Sequence, residues 1–335
     1  MAAVSGDSDS KGSCAYLRLA ASSSQASDIT AATSPTASSI ASPSSAPTSL
    51  AEALALEGLE HIDIYQPKNI TQILEAIKSQ ADKLVAEKSS QQYLVFSGIT
   101  RSDLAKLDHV RPKYTRATYY WDINLLIVKL MPSGKHESVH VNFGLSIIEK
   151  VIRMGMSRRD LRGSGATTFE GLSSSKEGDT SFKPPCRDYE ADLPTIVIEA
   201  GLSESVAKLR CDANWWLAQP GRNGGKVMIV VTISIKLKDK SLQFEKWENA
   251  LAPARPITRA NPNPSIQVPT MIQQITIRPN ATGAITPNEV TGAPLVLDFE
   301  KIFLRQPVAP QADFIFTANE LAEFATDFWD CVKKQ

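Results

Sequence analysis

Ten residues, Lys226-Val-Met-Ile-Val-Val-Thr-Ile-Ser-Ile235, constrain the fold more than any other stretch. They are β-branched and apolar without alternation, and the turn Asn223-Gly-Gly225 introduces them. A strand of that kind is buried on both faces, inside a sheet that has cover on each side. The next most apolar run, Leu193 to Ala200, precedes it, and a helix capped by Ser203 and running through Leu217 joins the two. Strand, helix and strand in that order point to an α/β fold.

The rest of the chain fits this frame. Residues 1–55 are dominated by Ser, Ala, Thr and Pro, and so poor in bulky apolar residues that burial cannot offset ordering entropy; they read as a disordered tail. From Asn69, apolar residues at Ile70, Ile73, Leu74, Ile77, Leu84 and Val85 mark an amphipathic helix. Tyr93–Phe96 is a short strand, and Ser102-Asp103-Leu104 opens a short helix. Residues 101–116 hold five cations and read either as a solvated loop or as a phosphate-facing patch. Asp122 to Met131 is a buried strand ended by Pro132-Ser-Gly134. A helix of about five turns follows from near Lys135, with Val141, Leu145, Ile148, Val151 and Ile152 at helical spacing and Gly155 as its stop. Leu161–Phe169, Glu177–Lys183, Leu242–Trp247, Met271–Ile277 and Leu295–Phe303 read as strands, Pro253–Pro269 as a loop, and Thr317 or Asn319 as the start of a last helix through Val332.

Lys+Arg and Asp+Glu balance at 36 each over 335 residues, so only a local cluster, such as Arg153, Arg158, Arg159 and Arg162, can carry a phosphate-binding claim. The four cysteines form no C-x-x-C pair, which disfavours a zinc ribbon or a disulfide scaffold and suggests a reducing, intracellular setting, cytoplasm or nucleus. No apolar run approaches the roughly 18 residues that span a bilayer, so no membrane partner is expected. Oligomeric state leaves no trace in the sequence.

Two constellations carry chemistry. His136-Glu137-Ser138-Val139-His140 matches H-E-x-x-H, in which two histidines one helical turn apart bind zinc and the glutamate activates water. A zinc metallopeptidase is therefore one expectation, with Glu149 or Asp160 as the third ligand. Against it, Pro132-Ser-Gly-Lys135 places His136 in the opening turn of the helix, where histidines are commonly plain surface residues.

The second constellation lies between Ser174 and Leu217. If Glu177 to Lys183 is one strand, Glu177 and Asp179 share a face, and pairing with Leu193–Ala200 brings Glu199 beside Asp179. Carboxylates so placed hold a hard cation that activates water against a phosphodiester. The alternative is a solvated edge for Glu177 and Asp179. Glu199 resists that reading, because an acid at the end of a buried strand costs several kcal/mol unless it is paired.

The stretches M-P-S-G-K-H-E-S-V-H, G-S-G-A-T-T-F, S-K-E-G-D-T-S-F-K-P, P-T-I-V-I-E-A-G-L-S-E-S, L-R-C-D-A-N-W-W-L and F-E-K-I-F-L-R resemble the PD-(D/E)XK, or restriction-endonuclease-like, nuclease superfamily. More narrowly they resemble a fungal branch related to a bacterial restriction-endonuclease domain. The resemblance covers roughly residues 125–330. It implies a restriction-endonuclease-like domain over 125–335, α/β with a mixed central sheet flanked by helices, with 56–124 as an α/β extension packed on it. It also implies a metal-dependent nuclease acting on DNA or RNA, or a non-catalytic binding module that keeps the scaffold. Asp179 then takes the place of the metal-binding aspartate and Glu199 that of the acid of E-x-K. Glu177 assists in holding Mg²⁺, for which Mn²⁺ can substitute. The lysine expected two residues after the acid is Gly201 here, and Lys208, one helical turn further, is the implied substitute. Lys176, Ser203, His136 and His140 are the residues expected to line the cleft.

Overall fold

The computed structural model describes residues 46–332 apart from 87, 132–133, 166, 203–205, 222–223 and 252–266. Most of the Ser-rich tail, the cap residue and cleft candidate Ser203, and most of the proline-rich loop therefore lie outside the described residues.

Two mixed sheets form the frame. The first holds β1 (Ile64–Tyr65), β2 (Tyr93–Ser97), β3 (Thr115–Tyr120), β4 (Leu125–Leu130), β6 (Thr168–Glu170) and β7 (Ser174–Glu177), in the order β1-β2-β4-β3-β7-β6. Only β1 and β2 in it are parallel. The second holds β5 (Arg162–Gly163), β8 (Thr180–Lys183), β9 (Ile196–Leu202), β10 (Ile229–Lys236), β11 (Ser241–Leu251), β12 (Gln267–Ile277) and β13 (Val290–Thr291), in the order β13-β12-β11-β10-β9-β8-β5. A small pair, β14 (Leu295–Leu297) and β15 (Phe314–Phe316), completes the strands. The expected class, α/β with a mixed sheet flanked by helices, is what the chain builds, and the described residues form one compact unit.

The strongest sequence signals become the centre of the second sheet. Every residue from Ile229 to Ile235 is buried, and β9 runs parallel to β10 with Glu199 opposite Thr232. Helix α5 (Val206–Ala218) makes the crossover that a parallel pair requires. Alternation along β9 sorts its side chains: Ile196, Ile198 and Ala200 pack with α4 (Gly134–Arg153), while Val197 packs with Trp216 of α5.

Four sequence expectations need correction. Glu177–Lys183 is not one strand: β7 ends at Glu177 in the first sheet, β8 starts at Thr180 in the second, and Gly178 and Asp179 make the crossing. Likewise Leu161–Phe169 divides into β5 and β6, one for each sheet. Leu295–Phe303 is a strand followed by helix α6 (Phe299–Phe303), whose first residue follows the N-cap Asp298. The basic segment 101–116 is no loop: it is helix α3 (Arg101–Asp108), the short helix expected at Ser102-Asp103-Leu104, opened by a Thr100–Asp103 capping box, and then the start of the buried strand β3. In addition, helix α1 (Leu50–Glu57) starts inside the stretch read as tail, with the Ser49 side chain as its N-cap.

Two helices matter for the site. Helix α2 (Ile70–Val85) follows the N-cap Asn69 and buries Ile73, Ile77 and Ala81 under the first sheet. Helix α4 carries two apolar stripes. The buried one is not Val141, Leu145 and Ile152, which are exposed, but Val139, Phe143, Ile147 and Val151. Phe143 decides the rotation: it packs in tilted and edge contacts among Phe244, Phe316 and Phe324, and full burial of such a ring stabilises by about 2–3 kcal/mol. That same face carries His136 and His140 into the interior, both almost fully buried. Helix α7 (Ala318–Val332) closes the far side with Leu321, Ala325 and Phe328.

Candidate functional site

Register brings the two acids together. Antiparallel pairing of β8 with β9 sets Thr180 opposite Ile198, which leaves Asp179, one residue earlier, beside Glu199. Asp179 Oδ2 accepts from the backbone N–H of Ala200 at 2.8 Å. Glu199 Oε1 accepts from Trp216 Nε1 at 2.8 Å. Gly178 permits this closeness: a Cβ there would lie 3.1 Å from the Trp216 ring and 3.6 Å from Glu199 Oε1.

The cation between the acids comes from the first sheet. Alternation along β4 puts Lys129 on the face shared with Leu125 and Ile127, toward α1 and the second sheet. Its Nζ lies 2.7 Å from Asp179 Oδ2, 2.7 Å from Ala200 O and 3.5 Å from Glu199 Oε2. Lys129 escaped the sequence reading, yet a signal was present: a lone lysine inside Leu125-Leu-Ile-Val-Lys-Leu-Met131. A charge in such a run must find a partner, because burial of an unpaired ammonium costs several kcal/mol.

The histidines border the same acid. His136 Nε2 donates to Ala200 O at 2.7 Å and lies 3.5 Å from Asp179 Oδ2. His140 Nδ1 lies 2.8 Å from Thr180 Oγ1, and its Nε2 lies 3.3 Å from Glu137 Oε2. Two buried atoms here have no hydrogen-bond partner, His136 Nδ1 and Asp179 Oδ1.

Electrostatics separate the two carboxyls. Burial would raise Asp179, but the Lys129 ammonium, the two histidines and the Ala200 N–H outweigh it and hold the group well below the usual carboxylate range. Glu199, buried and next to the Asp179 charge, is pushed up to about 8. Burial holds His136 down at about 3, so its ring is neutral. Lys129 is raised above the ordinary lysine value: Asp179 and Glu199 outweigh the burial that works against its charge.

Other candidates make no direct contact with Asp179. Glu177 accepts from Arg111, from the Ala117 N–H at 3.2 Å and from Thr168 Oγ1 at 3.0 Å, all within the first-sheet region. The structure does not bring it to Asp179, because the shared face assumed for the two rested on a single strand. Lys208 is committed to Glu57 and Asp212, and Lys176 to Asp212, in a buried four-charge cluster that pins α1 to α5 and β7. One small cavity is lined by Glu199 and Lys129 together with Lys176, Glu177, Lys208 and Asp212, with Arg116 and Thr118 also among its walls. Neither acid named as a third zinc ligand joins the histidines: Glu149 pairs with Arg153, and Asp160 caps the turn at Ser157. The cations at Arg153, Arg158, Arg159 and Arg162 sit at and beyond the C-terminal end of α4, while the histidines sit at its start, roughly 25 Å away along a 20-residue helix.

Among the described residues no helix is long and apolar enough to cross a membrane. No protein-family model and no curated protein matches the chain. Among solved structures it is similar to the crystal structure of a candidate nuclease belonging to DUF820 from Anabaena variabilis ATCC 29413. The two share 18% identity, and the match covers 47% of this chain and 89% of that one at a TM-score of 0.31.

Proposed function

We propose that this chain is a metal-dependent hydrolase of nucleic-acid phosphodiesters, with Asp179, Glu199 and Lys129 as its catalytic set. One observation carries the reading: the Lys129 ammonium lies 2.7 Å from one acid and 3.5 Å from the other. On this reading it takes the part of the lysine missing at Gly201, from β4 instead of from Lys208.

The roles follow from the geometry. Lys129 stays protonated and offers its charge to a phosphoryl oxygen as negative charge builds. Glu199, whose carboxyl titrates at about 8, takes a proton at Oε2 from the attacking water when it is in its ionised form. Trp216 fixes the other oxygen, so the acid keeps one orientation. The unpartnered Asp179 Oδ1 fits a divalent cation, which when bound activates water and neutralises phosphate charge. Glu137, tied to His140 and 3.9 Å from Arg116, orients the histidine and does not serve as the base of a peptidase.

A second reading is favoured by a specific observation. The side chains of Asp179, Glu199 and Lys129 are 0%, 3% and 8% exposed, a closed arrangement that suits a catalytically silent relative keeping the scaffold for binding. Incubation of the full chain with plasmid DNA and with RNA, in Mg²⁺ or Mn²⁺, tests both. Cleavage that disappears in Asp179→Asn and Glu199→Gln supports the hydrolase. Salt-sensitive binding without cleavage supports the silent relative.

A further inference from the structure

We infer that His136, His140 and Asp179 form a binding site for a divalent transition metal of the zinc or manganese class, set beside the Lys129–Glu199 pair and not between the two acids. The inference rests on the reading of Asp179 as the metal-bearing acid, and it assigns the remaining ligands to the histidines of α4.

One donor atom from each of the three residues lies within 4.8 Å of the other two, and all three residues are buried. The hydrogen bonds already prepare the donors. His136 gives its Nε2–H to the Ala200 carbonyl, which leaves the Nδ1 lone pair free, and that nitrogen has no partner. Such a carbonyl-anchored imidazole is the arrangement by which proteins orient a metal-ligating histidine. With Glu137 accepting from Nε2–H of His140, the lone pair of that ring sits at Nδ1, opposed only by the rotatable hydroxyl of Thr180. Asp179 spends Oδ2 on Lys129 and the Ala200 N–H and keeps Oδ1 unpaired.

Glu199 has no comparable vacancy. Its Oε1 takes the Trp216 indole and its Oε2 faces the Lys129 ammonium, so a cation bridging the two acids would meet a positive charge already in place. Donor chemistry points the same way. Mg²⁺ prefers oxygen and retains its waters, whereas two imidazoles and a carboxylate suit Zn²⁺ or Mn²⁺. The H-E-x-x-H spacing thus has a use that needs no peptidase: an i, i+4 pair on the buried face of α4, completed by an acid at the point where the chain crosses between sheets.

The test is Co²⁺ dialysed into the purified full chain, read by visible d–d absorption and by elemental stoichiometry. The expected result is a single Co²⁺ per chain, displaced by Zn²⁺ and not by equal Mg²⁺, lost in His136→Gln and Asp179→Asn and retained in Glu199→Gln. If near-ultraviolet circular dichroism shows that His136→Gln does not fold, His140→Gln replaces it, with the same loss expected. A folded wild-type chain that takes up no Co²⁺ overturns the inference, as does a site lost in Glu199→Gln but kept in the histidine variants. Bound Co²⁺ with no cleavage of nucleic acid leaves the inference standing and removes the hydrolase. Cleavage and Co²⁺ uptake that both survive in folded His136→Gln and His140→Gln remove the inference alone.

Discussion

The ammonium of Lys129 lies 2.7 Å from the carboxylate of Asp179, fifty residues further along the chain, and this contact ties the first sheet to the crossing point between the sheets. Both groups are buried, so each is the other's compensation. Removing one partner of such a pair costs about 3–5 kcal/mol, because the other is left charged and desolvated. Urea unfolding of Lys129→Met is expected to show a loss of that order. Adding Asp179→Asn should recover part of it, since the amide oxygen still accepts from Ala200 N–H and no charge remains unpaired. A double variant less stable than the sum of the single ones would contradict the pairing.

Glu199 makes stability depend on pH in a stated direction. Its carboxyl titrates near 4.5 when free and at about 8 in the folded chain. Between those values the folded state holds a proton that the unfolded state has released, so this group's stabilising contribution is full below pH 4.5 and is lost as pH rises to 8. Glu199→Gln keeps an acceptor for Trp216 and removes the titration. Its stability relative to the parent should therefore improve by about 1 kcal/mol per pH unit from pH 5 to 8 and level off above. Paired thermal melts across that range read the slope, and a flat or falling difference would contradict the assignment.

Trp216 is the neighbour that holds Glu199 in one orientation. Trp216→Phe retains most of the packing against Phe169 and Trp215 but leaves the Glu199 oxygen without its donor. A loss of about 1–3 kcal/mol is expected at neutral pH, larger above pH 8, where the carboxyl is charged. Chemical denaturation at pH 6 and pH 9 checks both the size and the order.

Gly144 lets α4 approach β8. A Cβ there would lie 3.1 Å from both the Phe182 ring and the Thr180 methyl, and Thr180 bonds His140. Gly144→Ala gains helix propensity but forces this contact apart, so a net destabilisation of about 1–3 kcal/mol is expected. If the inferred metal site exists, the same variant should also weaken Co²⁺ binding, because it shifts Thr180 against His140.

Long apolar runs were legible in the sequence because their burial requires no partner to be known. Lys226–Ile235 and Leu193–Ala200 became adjacent parallel strands, and the helix capped by Asn69 and the helix near Lys135 formed where their signals stood. What failed was the assumption that one polar stretch is one strand. Gly178 and Asp179 carry the chain from sheet to sheet, and nothing in a period-2 pattern marks such a crossing. Glu177 was placed with Asp179 for that reason, and Lys208 was favoured because it lies close to Glu199 in sequence. Lys129 could have been found by applying to it the argument already used for Glu199, since a charge inside a buried strand demands an opposite one. The H-E-x-x-H spacing is visible in the sequence, but the nearness of Asp179 to its histidines is not, because the fold alone brings them together.

The measurement that tests the central claim most directly is the cleavage rate of plasmid DNA under single-turnover conditions with Mn²⁺, for Lys129→Met against Lys208→Met. The account predicts a rate reduced roughly 10²–10³-fold or more in Lys129→Met, the scale for losing a preorganised charge at a transition state. In Lys208→Met, provided it folds, the rate should stay within a few-fold of the parent. Full activity in Lys129→Met, or activity lost in folded Lys208→Met alone, would contradict it.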